Sequence, residues 1–63
     1  MTETVPLSLA GLENVYDLLA SAIEQAGPEK SELFLVKLAL LNAHALGDER
    51  HFARQVAAAL RDL

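Results

Sequence analysis

Apolar residues recur at a helical period soon after the start of the chain. From Leu12 the set Leu12, Val15, Leu19, Ala22 and Ala26 advances by steps of 3, 4, 3 and 4, and Tyr16 and Ile23 widen the stripe. That spacing keeps one face of an α-helix apolar and predicts an amphipathic helix over about 9–26. Ser8 is the expected N-cap, because its hydroxyl can accept a free backbone N–H of the first turn. Gly11 stands where a capping box would place Glu or Gln. Gly27 and Pro28 close the helix, the one by tolerating positive φ, the other by lacking an N–H for the ladder.

The next segment is patterned differently. A second helix is predicted over about 28–46, with Pro28 as its first residue and Glu29 and Glu32 at the positive end of its dipole. At about 100° per residue, Lys30, Lys37 and His44 fall on one narrow line. From Leu33 to Leu46 nearly everything else is apolar, with Asn42 the one polar residue on the far side. A helix that is hydrophobic almost all round has to be covered almost all round. Two short amphipathic neighbours do not supply that cover, which points to a second copy of the chain or to another protein. Leu33, Phe34, Val36, Leu38, Leu40, Leu41, Asn42 and Ala45 are the expected interface positions. A lone amide among them is costly unless paired, so Asn42 is expected to find a defined partner. Tyr16 is expected to be partly buried.

Gly47 and Asp48 end one helix and start another with no residue to spare. Asp48 is a strong N-cap, and Phe52, Val56, Ala59, Leu60 and Leu63 form the stripe of a third helix over about 48–62. The reading is an all-α chain of three short helices, a helical hairpin plus a third helix, assembled as a dimeric helical bundle. Residues 1–7 read as a flexible arm and 8–63 as a single domain. The expected core is Leu12, Tyr16, Leu19, Ile23, Phe34, Leu38, Leu41, Phe52, Val56 and Leu60.

Size sharpens the need for a partner. The chain has 63 residues, 52% of them apolar, and no cysteine. A chain of about 60 residues buries only about 60% of the surface its unfolded form exposes, and small folds usually add disulfides, a metal or a partner. Disulfides are excluded here by composition. The formal charge is -4, with five Lys and Arg residues, which argues against phosphate binding driven by clustered basic side chains. The stretch Leu33–Leu46 is shorter than the roughly 20 residues of a membrane span and contains Lys37. No secretory signal is legible at the N-terminus, so a cytoplasmic location without membrane contact is expected.

Three groups of residues invite a chemical reading. His44, Asp48 and His51 are spaced i, i+4 and i+7 and would share a face on an unbroken helix, where they could hold zinc. A break at Gly47 spoils that geometry, leaving His44 on the line of Lys30 and Lys37, Asp48 as a cap and His51 in a first turn. Nucleophilic catalysis would need a serine activated by an adjacent base, and Ser8, Ser21 and Ser31 all lie at or near helix ends or at polar positions. No catalytic residue, cofactor or resident metal is therefore expected. The third group is two charge lines. Glu13, Asp17 and Glu24 step by 4 and 7 on the first helix, and Arg50, Arg54 and Arg61 repeat those steps on the third. Both point away from their own apolar stripes. They read as ordinary solvated faces, or as complementary docking surfaces in which charge sets orientation. The arginines could also serve a helix-turn-helix-like regulator of nucleic acid, against which stand the net negative charge and the acidic flanks Glu49 and Asp62.

Val15-Tyr16-Asp17-Leu18-Leu19, the run Phe34-Leu35-Val36-Lys37-Leu38-Ala39-Leu40-Leu41-Asn42-Ala43 and the ending Leu46-Gly47-Asp48 resemble a family of short uncharacterised bacterial helical proteins, a domain of unknown function. The resemblance runs from about Leu12 to Leu60. It supplies no activity and no catalytic residues. It implies genes placed beside those for flavin-dependent aromatic hydroxylases and other catabolic enzymes, and hence an accessory role beside a larger bacterial enzyme such as a flavin-dependent oxygenase. The functional expectation is a non-enzymatic protein–protein interaction module, a homodimer or a docking partner of such an enzyme. A nucleic-acid regulator acting through Arg50, Arg54 and Arg61 is the alternative.

Overall fold

The computed structural model describes residues 6–61 and residue 63. Among them are three α-helices and no strand: α1 (Leu9–Ala26), α2 (Ser31–Leu46) and α3 (Glu49–Leu60). The chain divides into two compact units, Met1–Glu32 and Leu33–Leu63. The division falls within the first turn of α2. Of the expected arm, Pro6 and Leu7 are non-helical and exposed, and the rest of it lies outside the described residues.

In the first unit, the Ser8 hydroxyl accepts the Gly11 N–H at 3.0 Å and the Ser8 carbonyl accepts the Leu12 N–H at 2.9 Å. Ser8 itself is extended, at φ -66° and ψ 166°, so it turns the chain into α1 without joining it. At the other end, the Gly27 N–H donates to the Ile23 carbonyl at 3.1 Å. Gly27 has φ 82° and ψ 162°. Its φ is positive as expected, but its ψ takes it out of the left-handed helical region into one that is essentially open to glycine alone.

The start of α2 differs from the expectation. The predicted first residue, Pro28, lies in a turn with Glu29 and Lys30, and the helix begins at Ser31. The Lys30 N–H donates to the Gly27 carbonyl at 3.1 Å. That bond closes a four-residue turn in which Pro28 takes the second position, where its fixed φ is favoured. Glu32 remains in the first turn of α2, whereas Lys30 leaves the helical line it was expected to share with Lys37 and His44.

In the second unit, Gly47 takes φ 74° and its N–H donates to the Ala43 carbonyl at 3.0 Å. Asp48 follows as the N-cap of α3 and accepts from Arg50 and His51. The helix ends at Leu60, two residues short of the expected end, and residue 62 itself lies outside the described residues. Arg61 keeps helical angles, φ -64° and ψ -37°, and its N–H donates to the Ala58 carbonyl at 3.2 Å, the tightened i to i−3 bond common in a last turn.

None of the described residues is buried. The ten expected core positions divide. Leu19, Ile23, Phe34, Leu38 and Phe52 are half-buried, whereas Leu12, Tyr16, Leu41, Val56 and Leu60 are exposed. This corrects the core expectation: among the described residues nothing covers those five side chains. No described helix is long and apolar enough to cross a membrane.

Candidate functional site

An exposed apolar surface with a defined geometry lies on α2. In α1 and α3 the apolar residues gather on one side, whereas in α2 they are distributed almost evenly around the axis. Even so, burial distinguishes two sides. At about 100° per residue, the half-buried Phe34, Leu38, Ala39, Ala43 and Leu46 project from one half of the helix. Leu33, Val36 and Leu40 project from the other half, at steps of 3 and 4, and are 59%, 49% and 64% exposed. Leu41, 68% exposed, flanks them across the line of Lys37 and His44. The exposed half is therefore an apolar stripe with a basic and a titratable side chain set into it. Lys37 can lay its aliphatic stem along such a stripe and keep its ammonium in water.

Of the expected interface residues, Leu33, Val36, Leu40, Leu41, Asn42 and Ala45 are exposed, while Phe34 and Leu38 are half-buried. Asn42 projects on the half-buried side yet is itself exposed, so its amide is open to solvent. Tyr16 is likewise exposed rather than partly buried. Both corrections have one physical reason: none of the described residues covers these groups.

The two charge lines are solvent-facing. Glu13, Asp17 and Glu24 on α1 are exposed, as are Arg50 and Arg54 on α3 and Arg61 just past it. Glu49 lies in the first turn of α3, about 100° round the axis from Arg50.

The His44, Asp48 and His51 set is split. His44 lies in the last turn of α2 and His51 in the first turn of α3, with the positive φ of Gly47 between them. Asp48 turns its carboxylate to the backbone of α3. Among the described residues no group of three His, Asp or Glu side chains is placed to hold a metal ion.

A shallow dip on α1 is lined by Leu9, Leu12, Glu13, Tyr16 and Asp17. All five belong to one helix and all are exposed, so it lacks the enclosure of a ligand pocket. Leu9 and Leu18 add exposed apolar surface to α1 beyond the predicted stripe. Leu18 sits off that stripe, and nothing in the periodicity singles it out. The division of α2 into two sides was equally invisible, because a uniformly apolar helix carries no periodic signal.

No family model, curated protein or solved structure matches the chain.

Proposed function

We propose that the chain is a non-enzymatic interaction module that self-associates through the exposed side of α2. One observation carries the reading: Leu33, Val36, Leu40 and Leu41 stand in solvent on a helix that has little polar surface to offer in their place. Contiguous exposed apolar surface of this kind marks association sites. A second copy is the simplest cover, because steps of 3 and 4 are the spacing at which two helices pack side by side. The absence of any buried side chain among the described residues supports it too, because burial shared with a second copy would supply a core that one copy lacks.

Sedimentation velocity at micromolar concentration tests the proposal. A concentration-dependent dimer or higher assembly is expected, and V36K or L40K should return it to monomer with its helical content intact. A 6.8 kDa species at every concentration, with a cooperative melt, overturns it.

A further inference from the structure

We propose that the acidic line of α1 and the basic line of α3 are the two halves of an orienting contact between copies of this chain, α1 of one copy lying parallel to α3 of another. The inference rests on the self-association proposed above and adds what sets the orientation. Glu13, Asp17 and Glu24 advance by 4 and 7, and Arg50, Arg54 and Arg61 advance by 4 and 7 in the same direction. All six side chains are exposed. Arg61 holds helical backbone angles beyond the last helical residue, so the basic line continues along the course of α3. At about 1.5 Å per residue each line spans about 16 Å. Parallel helices bring all three pairs into register. Antiparallel helices align the two outer pairs and leave Asp17 three residues, about 4.5 Å, from Arg54.

The matched 4 and 7 spacing of two lines of opposite sign makes a second copy the fitting occupant in spite of its net charge. Each copy carries a formal -4, so copies repel at long range, and three of the chain's five basic side chains lie on this one line. Exposed ion pairs add little affinity, but they select register and penalise juxtaposed like charges. The apolar side of α2 supplies adhesion, and the two lines supply direction.

The experiment is sedimentation velocity at about 0.01 M salt, where screening reaches only beyond about 30 Å, and at about 1 M, where it sets in at about 3 Å. The chain is compared with E13K/D17K/E24K, with R50E/R54E/R61E and with the six-fold exchange. At low salt each three-fold reversal should weaken self-association by about tenfold, or roughly 1.4 kcal/mol. The loss should fade at high salt, the six-fold exchange should restore association, and the two three-fold variants should assemble with each other when mixed. The neutral E13Q/D17N/E24Q should fall between parent and reversal. Circular dichroism confirms that each variant is folded. Three-fold reversals that associate like the parent overturn the inference and leave the α2 reading standing. A parent that is monomeric at both salts overturns both. Salt-sensitive binding of a labelled DNA duplex by the parent, abolished in R50E/R54E/R61E, assigns the arginine line to phosphate and also overturns the inference.

Discussion

One carboxylate oxygen of Asp48 accepts the backbone N–H of His51 at 3.2 Å, together with that of Arg50 at 3.0 Å. In sequence these residues looked like two of three spaced metal ligands. In the structure one caps the helix that carries the other. An N-cap carboxylate satisfies amides that have no intrahelical partner and sits at the positive end of the helix dipole.

Replacing Asp48 with Ala should therefore lower stability by about 1 kcal/mol, within the 0.5–2 kcal/mol range of lost caps. D48N keeps an acceptor oxygen and should retain most of that stability. Thermal melts followed by circular dichroism make the comparison. Adding zinc should move neither melt, and a zinc-dependent rise in the parent that is lost in H51A would restore the metal reading.

Gly27 and Gly47 test the two breaks. A Cβ at either position meets nothing within 4 Å, yet φ is 82° and 74°. Replacement by Ala is opposed by the backbone alone. Each variant should lose on the order of 1–3 kcal/mol, and the loss should be larger at Gly27, whose ψ of 162° excludes the left-handed refuge. Urea titration of the two variants ranks them. Equal stability to the parent would mean that the breaks are not held in these conformations.

At the start of α1 two effects oppose each other in a single residue. Ala is favoured over Gly within a helix by about 1 kcal/mol. A Cβ on Gly11, however, would stand 3.3 Å from the Ser8 hydroxyl oxygen and 3.4 Å from a Leu7 methyl. G11A should gain much less than about 1 kcal/mol, whereas S8A should lose about that amount. In S8A/G11A the crowded hydroxyl is gone, so the alanine gain should reappear. The double-mutant cycle on thermal stability reads the difference.

Leu41 separates folding from association. Buried in a core, Leu to Ala would cost about 2–5 kcal/mol. At 68% exposure in the isolated chain, L41A should change monomer stability by no more than about 0.5 kcal/mol. If the exposed side of α2 is covered by a second copy, the penalty appears at high protein concentration and vanishes on dilution. Melting temperature against concentration for parent and L41A is the measurement.

Sequence reading found the helices and their punctuation because those depend on neighbours. Ser8, Gly27, Gly47 and Asp48 act on backbone groups within about four residues, so residue type and spacing suffice to place them. The boundary at Pro28 is not legible in sequence, because a proline suits both the first turn of a helix and the second position of a β-turn, and only the Lys30 to Gly27 hydrogen bond decides between them. The candidate site was legible as a composition but not as a surface. Leu33 to Leu46 announces too much apolar side chain for one short helix, and no periodicity within it says which side chains the chain shelters. That Phe34 and Leu38 are half-buried while Leu33, Val36 and Leu40 face water was decided by the folded chain, because burial depends on which atoms lie nearby in space, a property that a residue's type and its place in a helical repeat do not contain.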